Sequence, residues 1–129
     1  MGGALVHGWC KAGLASQLTI TARTQATLER FSSLYPQLTA TTDNVLAVTG
    51  ADIVFIAVKP WLVDEVMDQI KLPLRASNAL VVSVAAGVRN ARINVYAMPN
   101  IAVEYGAGMT FIEELDRPSV LIDEVVRLF

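Results

Sequence analysis

Hydrophobic residues occur along the chain in short runs, and the clearest run lies at its centre. Residues 53–58 are all apolar and enriched in β-branched side chains, between Gly50 and Pro60. A strand with one solvated face alternates apolar and polar residues, whereas a strand covered by helices on both faces does not. The run therefore predicts a buried strand of a parallel sheet. Ligands bind beyond the carboxyl ends of such strands, where Val58, Lys59 and Pro60 stand.

Helical and strand-like patterns alternate along the rest of the chain. Apolar residues at helical spacing predict four main helices, over residues 2–12, 25–35, 61–70 and 118–129. Thr42 or Asp43 can cap a brief further helix that carries Val45, Leu46 and Val48. Other apolar runs predict strands over residues 18–22, 38–41, 80–84, 93–98 and 109–112. This alternation predicts an α/β fold with right-handed crossovers.

Three of the predicted helices have a stripe of apolar residues that we expect to face the sheet. The expected inward residues are Leu28, Phe31 and Leu34 in the second helix, Leu62, Val63, Val66 and Ile70 in the third, and Val120, Leu121, Val125 and Leu128 in the last. Three acidic residues of the third helix, Asp64, Glu65 and Asp68, are expected on its solvated side.

Composition and charge exclude several classes of protein. The chain has 129 residues, 53% of them hydrophobic, which suffices for one domain with a sizeable core. No apolar run approaches the ~20 residues of a membrane-spanning helix, and the first residues do not resemble a signal peptide. Ten basic and twelve acidic residues are scattered, which does not favour nucleic-acid binding. The single cysteine, Cys10, permits no internal disulfide, so we expect a cytoplasmic protein.

Two features do not fit a complete parallel sheet. The first predicted helix begins at glycines, with no strand before it. Only about nine residues separate Val88 from Met98. A parallel connection needs roughly a dozen or more, so this interval is too short for a crossover helix and the next strand.

Five short motifs, in this order, carry a resemblance to a known family. Met1 and Gly2 lead into a helix of small residues, and TART ends the second predicted segment at residues 21–24. AVKP follows at residues 57–60, AAGV at residues 85–88, and MPN with GAGMTF at residues 98–111. Together they resemble the amino-terminal domain of pyrroline-5-carboxylate reductase, over nearly the whole chain. The resemblance implies a Rossmann-like dinucleotide-binding domain with a mostly parallel, doubly wound sheet. It also implies NADPH-dependent reduction of the imine 1-pyrroline-5-carboxylate to L-proline.

The chain departs from this family where the resemblance would place the first strand. Members open with a strand and a glycine-rich turn, of which only Met1 and Gly2 are present here. The resemblance therefore implies that residues 1–129 are a fragment of the domain, without its first strand and without the helical domain that forms the homo-oligomer and much of the imine pocket. We expect the protein to continue before Met1 and residues to be missing after Val88. An intact mass of 13.9 kDa would contradict this expectation.

The cofactor preference has a basis in the residues themselves. An NAD-preferring site usually carries an acidic residue at the end of the second strand, whereas Ala22, Arg23 and Thr24 stand here. A guanidinium and a hydroxyl suit a 2′-phosphate, which predicts NADP(H). The alternative is that Arg23 belongs to a solvated turn.

The resemblance implies further cofactor contacts. Gly2 matches the third glycine of the phosphate loop, Asn44 matches an asparagine that contacts the cofactor, and residues 57–60 match the segment along the cofactor toward its nicotinamide. The implied cofactor-binding residues are Met1, Gly2, Arg23, Thr24, Asn44, Ala57, Val58, Lys59, Pro60, Ala85, Ala86, Pro99 and Asn100. The structural alternatives are an ordinary helix start for Gly2 and Pro60 and a helix N-terminal residue for Asn44.

No catalytic residue and no metal site is predicted. The resemblance gives Lys59 a positioning role rather than proton transfer, and His7 with Cys10 has too few partners for a metal. Ile101 and Ala102 replace the Thr-Pro that often follows MPN in the family, so the exact imine stays open. Two other functions also stay open. One is a related dehydrogenase that acts on a β-hydroxy acid or another imine, and the other is a non-catalytic nucleotide-sensing module.

Overall fold

The computed structural model describes residues 1–114 and 120–129, in which short helices and strands alternate. The α-helices are α1 (Gly2–Lys11), α2 (Gln25–Leu34), α3 (Asn44–Val48), α4 (Val63–Gln69), α5 (Lys71–Ser77) and α6 (Ile122–Arg127). The strands are β1 (Thr19–Thr21), β2 (Thr39–Thr41), β3 (Ile53–Ile56), β4 (Leu80–Ser83), β5 (Val95–Pro99) and β6 (Thr110–Glu114). Short 3₁₀ helices occur at Ala15–Gln17, Pro60–Leu62 and Ile101–Tyr105.

The strands form two sheets. β1 and β2 pair in parallel, with Ile20 opposite Ala40. The second sheet has the order β3-β4-β5-β6, in which β3, β4 and β5 are parallel and β6 is antiparallel to β5. The predicted α/β fold with a mostly parallel sheet is therefore confirmed.

A gap separates the two sheets, between β1 and β3, and we call it the strand slot. Within the described residues β1 pairs with β2 alone and β3 with β4 alone, so each keeps one open edge. The slot encloses a cavity of about 750 Å³, which residues 19–22 and 51–58 line from its two sides. A sheet interrupted at this place agrees with the expected absence of the first strand.

Helix α1 crosses the strand slot on one face and joins the two sheets. Leu5 and Trp9 belong to a cluster that includes Phe55 of β3, whereas Cys10 belongs to a cluster with Phe31. The Trp9 indole Nε1–H also donates to the carbonyl oxygen of Leu128, at 2.6 Å. The apolar contacts of α1 therefore reach both sheets even though no strand joins them.

The core is thickest around β4, whose four residues are all buried. Val81 packs into a cluster with Met67 and Ile70, whereas Val82 packs into a second cluster with Val125 of α6. Successive side chains of a strand point to opposite faces, so helices cover β4 on both sides. The strand at the centre of the chain, β3, is shorter than the apolar run of residues 53–58 that predicted it. It ends at Ile56, and Ala57 is exposed beyond it.

The connection from β4 to β5, residues 84–94, contains no helix. Polar side chains hold it instead. Asn94 Oδ1 accepts from the Val81 backbone N–H at 2.8 Å, and the Asn90 backbone N–H donates to the Tyr96 hydroxyl at 2.8 Å. Arg92 donates to the carbonyl oxygen of Met67 and to Asp68, both at 2.8 Å. The sequence analysis judged this interval too short for a crossover helix and expected residues to be missing after Val88, whereas β4 and β5 pair in parallel through a connection without a helix.

Several expectations about helices were wrong. Leu34 of α2 is 57% exposed, because successive steps of three residues rotate about 60° around a helix and carry it away from Leu28 and Phe31. Helix α6 begins at Ile122, and Val120, which precedes it and was expected to face inward, is 94% exposed. The predicted start of that helix lies outside the described residues. A further helix, α5, follows α4 directly although no helix was predicted there.

Candidate functional site

The carboxyl ends of β1, β3 and β4 meet at one cavity of about 520 Å³, which we call the edge cavity. Residues 21–23, 57–60 and 84–86 line it, one segment from the end of each strand. Three parallel strands therefore point their carboxyl ends at one site, where α/β sheets bind ligands.

Most of the residues that the sequence singled out come together here. Nine of the thirteen line the edge cavity: Met1, Arg23, Asn44, Ala57, Val58, Lys59, Pro60, Ala85 and Ala86. Gly2 lines the adjoining strand slot. Among the residues that sequence reasoning did not assign to the site are Thr42, Glu65 and Gln69.

Helix α1 directs its amino terminus toward the edge cavity. It begins at Gly2, no side chain caps it, and its first turn has no acidic residue. A Cβ built on Gly2 would lie 3.1 Å from the Cβ of Ala57, so the helix start packs tightly against the end of β3. Free backbone N–H groups and the helix dipole make such a terminus a favourable place for an anion.

Two cationic side chains add to this positive potential. Arg23 and Lys59 both line the edge cavity, and both are exposed. Across residues 1–114 and 120–129, neither side chain makes a hydrogen bond or an ion pair that would occupy it. Glu65 is the acidic residue among the lining residues. The site can therefore bind a ligand with several negative charges.

Asn44 is fixed at the start of α3. Asp43 caps this helix, and its Oδ1 accepts from the backbone N–H groups of Val45 at 2.8 Å and Leu46 at 3.1 Å. The Asn44 side chain donates through Nδ2 to Gln69 Oε1 at 2.8 Å. Asn44 is therefore held to α4 as well as to its own helix, of which it is the first residue, and Asp43, one of the two predicted caps, caps it.

The turn after β4 is shaped by a buried serine. Ser83 is 1% exposed, and its Oγ accepts from the Ala85 backbone N–H at 3.2 Å. The Val84 N–H donates to the carbonyl oxygen of Ile56 at 3.0 Å. These bonds place Ala85 and Ala86 on the wall of the edge cavity. Sequence reasoning did not single out Ser83, because its role depends on a turn that the apolar pattern does not reveal.

Three of the predicted site residues lie elsewhere. Thr24 caps α2, where its Oγ1 accepts from the Thr27 N–H at 3.4 Å. Pro99 pairs with Thr110 at the end of β5, and Asn100 caps the following 3₁₀ helix. None of the three lines the edge cavity, so their contacts with a cofactor stay predictions.

His7 and Cys10 form part of the packing between α1 and α2. His7 Nδ1 is 2.8 Å from the Tyr35 hydroxyl, and the His7 ring lies 5.0 Å from that of Phe31, centroid to centroid. Burial raises the pKa of the Cys10 thiol and, with Cys10 and Glu104 nearby, the pKa of Tyr35. Within the described residues no group of His, Cys, Asp and Glu side chains could hold a metal ion.

The family match covers the part of the chain that forms the edge cavity. The sequence profile of the family described as "NADP oxidoreductase coenzyme F420-dependent" matches residues 1–87. The chain belongs to this family. Residues 1–87 include α1, β1, β3, β4 and all the segments that line the edge cavity.

This member of the family is similar to proteins named pyrroline-5-carboxylate reductase. The one from Vibrio alginolyticus is 32% identical over 120 residues, which cover 83% of this chain and 42% of that protein. The one from Methanosarcina acetivorans is 36% identical over 115 residues, which cover 79% of this chain and 41% of that protein. The chain thus spans less than half of the length of these relatives.

Solved structures agree on the fold. A pyrroline-5-carboxylate reductase from Coxiella burnetii superposes with a TM-score of 0.86 at 26% identity, over 97% of this chain and 50% of that one. A pyrroline carboxylate reductase from Plasmodium falciparum, solved with NADP bound, superposes with a TM-score of 0.79 at 23% identity. The match covers 98% of this chain and 48% of that one. Across the described residues, every helix is too short or too polar to cross a membrane.

Proposed function

We propose that residues 1–129 are the dinucleotide-binding domain of an NADPH-dependent reductase that converts 1-pyrroline-5-carboxylate to L-proline. One observation carries the proposal. The uncapped amino terminus of α1 converges on the edge cavity of a fold shared with pyrroline-5-carboxylate reductases, together with Arg23 and Lys59, two cations that form no ion pair within residues 1–114 and 120–129. The relatives' names supply the reaction.

The residues present fit NADP(H). The absence of a side chain at Gly2 lets the backbone at the start of α1 lie close to Ala57, and the N–H groups of the first turn of α1 suit a pyrophosphate. Arg23 follows β1 where an NAD-preferring site usually carries an acidic residue, and its guanidinium suits a 2′-phosphate. The edge cavity of about 520 Å³ lies within the usual size range of cofactor sites.

The chain's own residues would bind the cofactor, orient its nicotinamide and shield it from water. When bound, NADPH supplies a hydride to the carbon of the C=N bond. Residues 57–60 and 85–86 form the wall along which the nicotinamide half would lie, and Pro60 and Ala85 would shield it from water. Lys59 would position the cofactor by its charge. This contribution is orientation, which lowers the barrier by holding the two reactants in register.

The remaining parts of the proposal concern the protein beyond this domain. Because the chain spans less than half of its relatives, we place closure over the imine and recognition of the imine's carboxylate in another part of the protein. That part would also form a homo-oligomer. We further propose that the protein acts in the cytoplasm, because its single cysteine, Cys10, fits a reducing compartment.

The test follows NADPH absorbance while the intact protein is offered 1-pyrroline-5-carboxylate, with NADH as the comparison. We expect oxidation of NADPH in preference to NADH, with proline as product. A panel of β-hydroxy acids offered with NADP⁺, and of other cyclic imines offered with NADPH, separates the related dehydrogenases, which would turn over one of these instead. Tight NADPH binding with no turnover on any member of the panel would overturn the reductase and favour a nucleotide sensor.

A further inference from the structure

Three side chains on one wall of the edge cavity form a chain of hydrogen bonds. Asn44 Nδ2 donates to Gln69 Oε1 at 2.8 Å, and Gln69 Nε2 donates to Glu65 Oε1 at 3.4 Å. Asn44 begins α3, whereas Glu65 and Gln69 lie one turn apart on α4. All three line the edge cavity. The arrangement therefore links two helices at the place where a ligand would contact them.

The direction of these hydrogen bonds is set by Glu65, at the end of the series. An ionised carboxylate accepts hydrogen bonds and cannot donate them, whereas an amide side chain does both. Glu65 therefore requires the amino group of Gln69, which leaves the Gln69 oxygen facing Asn44. Asn44 must then turn its own amino group to Gln69, and its Oδ1 is left to accept a hydrogen bond from a ligand.

We infer that Gln69 is a positioning residue that holds Asn44 with its Oδ1 available to the ligand of the edge cavity. The backbone of Asn44 is already fixed by the Asp43 cap, so the orientation of its side chain is what Gln69 decides. The inference rests on the proposed function for the identity of the ligand. A ribose hydroxyl or an adenine amino group can donate to Oδ1, whereas a phosphate oxygen accepts and would be repelled.

The first test compares Gln69→Leu with Gln37→Leu, an exposed glutamine outside the edge cavity. NADPH fluorescence gives the dissociation constant, and steady-state kinetics with pyrroline-5-carboxylate give KM and kcat. The loss of one hydrogen bond of about 0.5–1.5 kcal/mol predicts a Kd and a KM for NADPH about 2- to 12-fold higher in Gln69→Leu, with kcat unchanged. Gln37→Leu is expected to leave all three values unchanged.

A double exchange tests the direction of the chain. Glu65→Gln together with Gln69→Glu moves the carboxylate next to Asn44 without changing the net charge. That carboxylate accepts from both neighbouring amides, so Asn44 keeps its orientation and we expect NADPH affinity within about twofold of the original protein. A double variant that binds NADPH as weakly as Gln69→Leu does would overturn the proposed direction.

A measurement without cofactor separates this inference from the proposed function. In the ligand-free protein, the two amide protons of the Asn44 side chain should give distinct, protected NMR signals that Gln69→Leu collapses toward those of a free amide. Unchanged signals would overturn the inference. If these signals change while the original protein binds no NADPH, the positioning role stands and the proposed function fails.

Discussion

Gly2 packs on Ala57 so closely that a Cβ on Gly2 would lie only 3.1 Å from the Cβ of Ala57. The first residue of α1 is thereby held at the carboxyl end of β3. A larger side chain at position 2 would push the helix start away from the strand. The contact therefore couples the placement of α1 to the shape of the edge cavity.

The same helix has a second close approach at Gly8. A Cβ there would lie 2.5 Å from the Val103 carbonyl oxygen, a backbone atom, whereas a Cβ on Gly3 would lie 3.5 Å from the movable ring of Phe31. Alanine within a helix usually gains roughly 0.5–1 kcal/mol over glycine. We expect Gly3→Ala to keep or raise Tm, and Gly8→Ala to lower stability by about 1–3 kcal/mol through overpacking. Thermal unfolding of the two variants measures this, and an equal or higher Tm for Gly8→Ala would contradict the packing of α1 against Val103.

Cofactor preference is expected to depend on Arg23. Replacing it with aspartate places a carboxylate where the proposal puts a 2′-phosphate and creates the acidic residue typical of NAD sites. Arg23→Asp should raise KM for NADPH about tenfold or more and lower KM for NADH. Arg75→Asp, on α5 and outside the edge cavity, makes the same charge change as a control. Equal effects of the two variants would remove Arg23 from the site.

The ion pair between Asp68 and Arg92 is expected to make the free energy of unfolding depend on pH in acid. The hydrogen bond and charge of Arg92 hold the pKa of Asp68 below its ordinary value of 3.8. The unfolded chain therefore binds more protons in this range, so the stabilisation is present above pH 3.8 and is lost as pH falls through the lower pKa of the folded protein.

The matching variant is Asp68→Asn, measured by chemical unfolding at a series of pH values. We expect the original protein to be the more stable of the two at neutral pH, and the difference to shrink as the solution is acidified. Added salt should also reduce it, because both side chains are partly exposed. A difference that does not vary with pH would show that the pair contributes nothing through its charge.

The strand slot should accept an added strand. Its two sides are the open edges of β1 and β3, and both strands end at the edge cavity, so they run toward the same side. An extended apolar segment joined directly before Met1 could pair with both edges and fill the cavity of about 750 Å³. We expect such a segment of four or five β-branched residues with a short glycine turn to raise Tm and slow the hydrogen exchange of β1 and β3.

The control for this experiment is a Gly–Ser segment of the same length, which cannot bury apolar surface. It should leave Tm and hydrogen exchange unchanged. Equal behaviour of the two segments would show that the slot does not accept a strand.

The order of helices and strands could be predicted, because it depends on local pattern. The apolar run at residues 53–58 indicated β3, and the helix predicted over residues 25–35 is α2. Boundaries were less certain. Leu34 continues the apolar spacing of α2 but lies outside the region that the sheet covers. Spacing along the chain records which residues share a helix face and not how far the neighbouring layer extends.

Sequence reasoning brought together most, but not all, of the residues that line the edge cavity. Nine of the thirteen predicted residues line the edge cavity, because most of them directly follow strands whose carboxyl ends meet in any parallel sheet. Thr24 has the residue type for a phosphate contact, but its Oγ1 faces the first turn of α2. Gln69 was missed altogether, since nothing in the pattern of α4 distinguishes it from other solvated polar residues of that helix.

The sequence by itself determined the α/β class and the residues at the strand ends, because both depend on apolar periodicity and on short motifs within a few neighbours. Only the tertiary structure decided that β1 and β3 face each other across an open slot, that α1 joins them, and that Gln69 holds Asn44. Those relationships bring together residues far apart in the chain. They depend on how the layers pack, which no local pattern encodes.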